Sequence, residues 1–227
     1  KEAATGKLAD NCTALTKINK KVYSNLGVKN IEIIPNGTDT EKFKRNTSVR
    51  KTIRKKLGLK NNFTILAISR PDEIKGPELL YDIIENSPKN INFILIGISD
   101  IEPLKSMENE NVRKLGIIPN EQVKKYYSAA DVFIITSRSE GMPTVLAEAM
   151  STGLPIITTK VGGIPDAINK KVGFFIDRNP KTAVNIIAKL SKNKTMLKNM
   201  SKECRNHILK NFDWKILAKK YENLYKK

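Results

Sequence analysis

The sequence predicts an α/β fold built on an open, doubly wound, mostly parallel sheet. Short and nearly continuous apolar runs alternate with segments of helical periodicity, an order typical of successive β–α–β units. The runs are apolar at almost every position, as expected of strands that are covered on both faces. With 227 residues, 40% of them hydrophobic, the chain is long enough to build a substantial core.

Six apolar runs are the predicted strands, and six segments are the predicted helices. The strands cover residues 63–69, 92–97, 112–116, 132–136, 155–159 and 173–176. The helices cover residues 76–86, 121–130, 143–151, 180–190, 195–209 and 213–225. Asn120 suits the N-cap of the second helix, and Pro143 suits the first turn of the third.

The first 60 residues follow a different pattern. A helix is predicted over residues 14–26 and a strand over residues 31–34, followed by the turn-rich PNGTD and a charged stretch to Lys60. This order is typical of a connector between two domains. We therefore divide the chain into a connector (1–60), a sheet domain (61–210) and a terminal helix (211–227).

The formal net charge of +18 is concentrated near the end of the chain. Residues 181–227 hold 13 of the 41 Lys and Arg residues and 3 of the 23 acids. A general preference for lysine, an anionic membrane surface and nucleic acid are three possible explanations. Because the sequence has no RNP motif, helix-turn-helix signature or interleaved aromatics, we expect no nucleic-acid partner.

Few residues could hold a metal ion or a common cofactor. Cys12 and Cys204 are far apart and His207 is the single histidine, so no common zinc pattern can be written. The sequence contains neither the glycine fingerprint of dinucleotide-binding proteins nor a P-loop. We expect no metal and no cofactor, with both cysteines reduced in a cytoplasmic setting.

The strongest candidate site lies in Ser137–Ile168, directly after a predicted strand. Ligands of doubly wound sheets bind outside the carboxyl ends of the strands. The loop with Glu140 and Gly141 leads into a helix amino terminus, where the free amides of Thr144 and Val145 suit an anion. Gly141 would let a ligand approach the backbone.

Glu140 and Glu148 are eight positions apart, so both can face one cleft at different depths. Their carboxylates could accept hydrogen bonds from the hydroxyls of a ribose and a hexose. In the plainer interpretation, Glu140 is a helix-entry acid and Glu148 a solvated helix residue. Glu148, however, stands in the apolar context VLAEAM, where a solvated glutamate is less expected.

Two further clusters also follow predicted strands. In SRPDEIKG, Arg70 and Lys75 could neutralise a diphosphate and stabilise it as a leaving group. In VGGIPDAI, Gly162 and Gly163 could form a turn that requires glycine, or a backbone surface that admits a ligand. Both interpretations of the glycine pair remain open from the sequence.

These motifs resemble the carboxy-terminal domain of family-4 retaining glycosyltransferases, which have the GT-B fold. EGMPTVLAE and the segment after it are similar to the family's motif of two glutamates separated by seven residues. ISRPDEIKGPELL resembles its Arg–Lys segment, although Ser69 stands where glycine is usual, and Asp166 stands where glutamate is frequent. IEIIPNGTDTEKF resembles the interdomain linker, and FDWKILAKKYENLY the helix that crosses back.

The resemblance implies a role for each candidate residue. Arg70 and Lys75 would bind the donor diphosphate and Glu140 the hydroxyls of the transferred sugar, so these three would act in catalysis. Glu148 would hold the ribose, and Ile117 and Ile118 would contact the base. Ser69 would join the backbone around the helix amino terminus in holding sugar and phosphate, through residues Gly141, Met142, Pro143, Thr144 and Val145.

It also implies a reaction and an architecture. The chain would be a Rossmann-like half of a GT-B enzyme, lacking the amino-terminal domain. It would transfer sugar from a nucleotide-diphosphate sugar, UDP by default, to a glycan or lipid-linked acceptor with retention. A sugar-nucleotide epimerase, a phosphorylase and a domain that only binds remain alternatives. Two locations also remain open: free in the cytoplasm, or peripheral on the inner face of an anionic membrane.

Overall fold

The computed structural model describes residue 6 and residues 9–226. The strands are Cys12–Ala14 (β1), Ile31–Ile33 (β2), Phe63–Ser69 (β3), Ile91–Gly97 (β4), Val112–Lys114 (β5), Val132–Ile135 (β6), Ile156–Thr159 (β7) and Gly173–Ile176 (β8). The helices are Lys17–Asn25 (α1), Thr47–Lys56 (α2), Pro77–Glu85 (α3), Asn120–Ala129 (α4), Thr144–Ser151 (α5), Ile164–Ala167 (α6), Pro180–Lys192 (α7), Lys194–Asn211 (α8) and Trp214–Tyr225 (α9).

The main sheet has six strands in the order β5-β4-β3-β6-β7-β8, and all neighbours are parallel. One face is covered by apolar side chains of α2, α4 and α5, and the other by those of α3 and α7. The predicted doubly wound α/β fold is therefore confirmed. The chain runs outward from β3 to β5 and returns to β6, so the sheet has its topological switch point between β3 and β6.

The N-caps of α4 and α5 differ from the predictions. Pro143 has an extended ψ of 126° and is the N-cap of α5, which begins at Thr144 rather than at the proline. Asn120 is the first helical residue of α4, and the N-cap is Pro119, which has no side chain that could accept a hydrogen bond. The amino termini of both helices therefore lack a side-chain cap.

The charged stretch before Lys60 contains a helix that was not predicted. α2 is capped by the Asn46 side chain, which accepts a hydrogen bond from the Val49 amide at 2.9 Å. Val49, Ile53 and Leu57 pack into the core on one face of the sheet. This apolar stripe is one residue wide and is hidden among five basic residues, which is why the segment has the composition of a connector.

The strands β1 and β2 form a separate small sheet, in which they pair in parallel. The helix predicted over residues 14–26 begins later, at Lys17, because residues 12–14 are extended and Thr16 caps α1 through the amide of Asn19. Asp166 of α6 accepts a hydrogen bond from the Lys17 amide at 2.7 Å and joins α1 to the main body.

The segment after β2 is tied to the end of the chain. Thr38 bridges to Asp213 in the parallel sense, and the Thr38 amide donates to the Phe212 carbonyl at 2.9 Å. A Cβ at Gly37 would lie 2.7 Å from Leu217 Cδ1, so glycine allows this close approach. Within the described part of the chain, no helix is both long enough and apolar enough to cross a membrane.

Candidate functional site

A cleft of about 250 Å³ lies at the carboxyl ends of β3 and β6, beside the topological switch point. Sequence-predicted site residues contribute much of its lining: Ser69, Arg70, Lys75, Glu140, Pro143, Thr144 and Val145. Parallel strands bring these distant segments to one edge, since their carboxyl ends point the same way. The two clusters that the sequence singled out separately are thus one site.

Lys75 and Glu140, which both line this cleft, form an ion pair. Lys75 Nζ lies 2.9 Å from Glu140 Oε1 and 3.0 Å from Oε2. The side chains are only 15% and 10% exposed, so the pair is weakly screened by solvent. A cation and a carboxylate are therefore held together in the lining of the cleft.

Gly76 fixes the position of Lys75. Gly76 has a left-handed backbone conformation, with φ of 66°, and a Cβ there would lie 2.2 Å from the Thr136 carbonyl oxygen. The Thr136 hydroxyl donates to the Lys75 carbonyl at 2.9 Å. The turn carrying Lys75 is thereby attached to the end of β6, where the loop with Glu140 begins.

Ser137 also holds Glu140, and sequence reasoning missed it. Its hydroxyl donates to Glu140 Oε1 at 2.6 Å, so this oxygen contacts both Ser137 and Lys75. The available signal was local: Ser137 lies three residues before Glu140, at the end of a strand. A serine in a loop is too common a feature to be chosen on that basis alone.

Arg70 adds a second cation to the lining. It is exposed and directly follows Ser69, the last residue of β3. At the neighbouring strand end, Gly97 has φ of 73°, and a Cβ there would lie 2.2 Å from the Ser69 carbonyl oxygen. Only glycine permits this approach, so the backbone leading to Arg70 is positioned by the end of β4.

The amino terminus of α5 faces the same cleft. Thr144 and Val145 are part of its lining, and no side chain caps the helix. An uncapped amino terminus offers backbone N–H groups to an anion. Gly141, just before it, is exposed, and a Cβ there would meet no atom within 4 Å, so the space beside this backbone is open.

The glycine pair Gly162–Gly163 packs against the loop that carries Glu140. A Cβ at Gly162, where φ is 53°, would lie 1.6 Å from the Glu140 carbonyl oxygen. The Gly163 amide donates to the Gly141 carbonyl at 2.8 Å. Of the two interpretations that the sequence left open, the structure favours close backbone packing, here against the loop that carries Glu140.

Glu148 lies outside the cleft lining but close to it on α5. It is half-buried, and its Oε2 accepts a hydrogen bond of 2.7 Å from the Tyr127 hydroxyl. Burial raises the pKa of the Glu148 carboxyl, while the Tyr127 hydrogen bond and the charge of Lys42 lower it. Sequence reasoning missed Tyr127, because nothing local links position 127 to position 148.

The remaining predicted residues lie outside this lining. Met142 is 5% exposed with its side chain in the core, so only its backbone is available, and its carbonyl accepts a 2.8 Å hydrogen bond from Asn36. Ile117 is 74% exposed and Ile118 half-buried, in the loop after β5. Their contact with a base remains a prediction. Across residue 6 and residues 9–226, no group of three or more His, Cys, Asp or Glu could hold a metal ion.

Comparisons with known proteins agree with this fold and identify a family. The family "Glycosyl transferases group 1" matches residues 49–207. The chain is 32% identical, over 86% of its length, to a galactosyltransferase of Escherichia coli, "UDP-Gal:alpha-D-GlcNAc-diphosphoundecaprenol alpha-1,3-galactosyltransferase", and covers 54% of it. It is 28% identical, over 92% of its length, to spore coat protein SA of Bacillus subtilis (strain 168) and covers 58% of it.

Solved structures share the fold at lower identity. The chain superposes on Anabaena HepE in complex with UDP with a TM-score of 0.84 at 22% identity, covering 95% of this chain and 63% of that one. The chain therefore belongs to the group 1 glycosyltransferase family, whose solved relatives are GT-B enzymes. It spans little more than half the length of the curated relatives described above.

Proposed function

We propose that this chain is the donor-binding half of a retaining glycosyltransferase that uses a nucleotide-diphosphate sugar, with UDP as the nucleotide. The observation that carries the proposal is the convergence of Lys75, Arg70 and the uncapped amino terminus of α5 on one cleft. We propose UDP as the nucleotide because two similar proteins use or bind it: the E. coli protein acts on UDP-Gal, and HepE is in complex with UDP.

The charges in the cleft match the chemistry of donor cleavage. When the bond between sugar and diphosphate breaks, negative charge develops on the departing β-phosphate. Preorganised cations and backbone amides aimed at that charge are usually the largest contribution to catalysis. Arg70 and Lys75 would bind the diphosphate. We propose that these two cations neutralise its charge and that no metal ion takes part.

Glu140, the ion-pair partner of Lys75, would bind the transferred sugar. In the free protein, its carboxylate is held by Lys75 and Ser137. A bound diphosphate would share the Lys75 ammonium, and the freed lone pairs of Glu140 could accept hydrogen bonds from sugar hydroxyls. The Ser137 hydroxyl would keep the carboxylate oriented during this exchange of partners.

The complete enzyme would need an amino-terminal domain with the acceptor-binding groups. Three apolar side chains along one side of α1 are about half exposed: Ile18 (54%), Val22 (48%) and Leu26 at the C-cap (47%). They recur at helical spacing and form an apolar face that a further domain could cover. The small sheet of β1 and β2 lies on the same part of the chain and would join that domain.

We further propose a glycan or lipid-linked acceptor, with the protein peripheral on an anionic membrane. The E. coli relative acts on a sugar linked to diphosphoundecaprenol, which is a lipid carrier. The basic segment 181–227 supplies positive charge that anionic lipids would attract. Such binding would increase with the fraction of anionic lipid and decrease with salt.

A transfer assay on the full-length polypeptide that carries this chain tests the proposed reaction. We expect sugar transfer from a UDP-sugar to a lipid-linked glycan, with the anomeric configuration retained in the product by NMR. Appearance of an epimerised sugar nucleotide would instead indicate an epimerase. Donor binding without transfer to any acceptor would indicate a domain that only binds. Inversion at the anomeric carbon would contradict the retaining mechanism.

A further inference from the structure

Tyr127 is a fully buried residue of α4 whose hydroxyl has a polar partner close to the cleft. The hydroxyl donates to Glu148 Oε2 at 2.7 Å. The ring packs edge-on against Phe43 at 5.9 Å and tilted against Phe133 at 5.8 Å. With aromatic neighbours on two sides, the ring cannot shift easily, and the hydroxyl is held in one position.

Glu148 is placed to reach the ligand that the cleft would bind. It lies four residues after Thr144 on α5, so the two side chains share one face of the helix. Thr144 lines the cleft, and Glu148 is therefore one helical turn further along the same side. An ionised carboxylate has about four acceptor sites, so one hydrogen bond from Tyr127 leaves capacity for two ligand hydroxyls.

The groups around Glu148 act on the pKa of its carboxyl in opposite directions, and the net effect raises this pKa. Burial raises the pKa of Glu148, which favours the protonated form. Tyr127 from α4 and Lys42 from the segment before α2 act in the opposite direction. Burial and the Glu148 charge raise the pKa of the Tyr127 hydroxyl well above its ordinary value, so it remains a donor.

We propose that Tyr127 is a positioning residue for donor binding: its hydroxyl holds the Glu148 carboxylate in the orientation that accepts hydrogen bonds from the ribose hydroxyls. The inference rests on the proposed function, because the ribose belongs to the nucleotide donor that we propose for the cleft. It adds a residue that does not touch the ligand and acts through Glu148. A tyrosine serving only to fill the core would be replaceable by phenylalanine without effect on the ligand.

The test is calorimetric titration with UDP from about pH 5 to pH 8, on the wild type, Tyr127→Phe and Glu148→Gln. The matched control is Tyr126→Phe, since Tyr126 is the neighbouring buried tyrosine of α4 and is 8% exposed. Circular dichroism and thermal unfolding verify that each variant is folded. A second ligand, 2′,3′-dideoxyuridine diphosphate, lacks the ribose hydroxyls.

We expect Tyr127→Phe to weaken UDP binding about tenfold at neutral pH, as for loss of one hydrogen bond to a charged group. The carboxylate form binds, so affinity falls as acid protonates Glu148. Because the variant lacks a hydrogen bond that lowers the Glu148 pKa, this fall should begin at higher pH than in the wild type. Tyr126→Phe should match the wild type, and Tyr127→Phe should bind the dideoxy ligand as the wild type does.

Three results would overturn the inference, and they are distinguishable. If Glu148→Gln weakens UDP binding while Tyr127→Phe leaves both affinity and pH profile unchanged, the donor site stands and the role of Tyr127 is refuted. If the wild type binds none of UDP, GDP and ADP, the proposed donor site fails together with this inference. As a second measurement, Tyr127→Phe made in the Glu148→Gln background should cause no further loss, and an additive loss would contradict action through Glu148.

Discussion

The ion pair between Lys75 and Glu140 would contribute both to the stability of the free protein and to binding of the donor. Both side chains are largely buried, so each needs the other's charge in the free protein. The same pair would separate in part when a diphosphate enters. Lys75 and Glu140 could be predicted from sequence because each follows an apolar strand in a recognisable local motif. Ser137 and Tyr127 could not, since they act through contacts set by the tertiary fold.

Removing one partner of the pair should destabilise the protein more than removing both. Lys75→Met leaves the Glu140 charge buried without its cation, and we expect a loss of roughly 3 kcal/mol in the free energy of unfolding. The double variant Lys75→Met, Glu140→Gln should recover a large part of it. Urea denaturation at neutral pH measures both. A double variant as unstable as the sum of the single variants would contradict a direct pairing.

The two glycines near the Glu140 loop should respond differently to alanine. Gly162→Ala places a Cβ against the Glu140 carbonyl oxygen at a positive φ, so we expect a loss of about 2 kcal/mol or more in stability. Gly141→Ala meets no atom within 4 Å and should keep stability within about 0.5 kcal/mol. Thermal unfolding compares the two.

The variants Gly141→Ala and Gly162→Ala also distinguish an effect on packing from an effect on ligand binding. If the backbone at Gly141 contacts the donor, Gly141→Ala should weaken nucleotide binding while the fold remains intact. Equal stability of the two variants would show that the packing of Gly162 against the Glu140 loop is not as close as described.

At the scale of elements, α2 is attached to the sheet through an unusual charge cluster. Asp131, between α4 and β6, lies 2.7 Å from Arg50, 3.6 Å from Arg54 and 3.9 Å from Arg45. Arg50 and Arg54 also donate to carbonyls at the carboxyl end of α4, which suits cations. Burial and mutual repulsion lower the pKa values of Arg45 and Arg54.

Asp131→Asn should therefore loosen α2. Three arginines would lose their shared carboxylate, and we expect a loss of about 3 kcal/mol in the free energy of unfolding. The control is Asp177→Asn, at an exposed residue directly after β8. Asn at this position can still accept the hydrogen bond from the Asn179 amide, so stability should change by less than about 0.5 kcal/mol. Hydrogen exchange should show faster opening of residues 47–56 in the Asp131 variant, and unchanged protection would refute the attachment.

The elements show which parts of a fold are readable from sequence. The strands could be predicted because each is a nearly continuous apolar run. The later helices could be predicted because their apolar residues recur at helical spacing. α2 could not, because its apolar stripe is narrow and its stability comes from contacts with Asp131 and α4, far along the chain. The starts of α4 at Asn120 and of α5 at Thr144 were each misplaced by one residue, since propensity alone does not fix the backbone of the N-cap.

At the scale of the molecule, the sheet order explains why separate motifs form one site. The chain leaves β3 for β4 and β5, then returns to place β6 beside β3. This return brings the Lys75 turn against the Glu140 loop, 65 residues apart in sequence. Sequence predicted the edge at which both lie, but the direct contact between them follows only from the adjacency of β3 and β6.

Calorimetric titration of the protein with UDP, GDP and ADP tests the central claim, that this cleft binds a nucleoside diphosphate. We expect binding of UDP, weakened at least tenfold by Arg70→Ala because a charged contact to phosphate is lost. Binding should be unchanged by Lys210→Ala, which removes an exposed cation of α8 outside the cleft. Absence of binding to all three nucleotides, or equal loss in the two variants, would contradict a diphosphate site between β3 and β6.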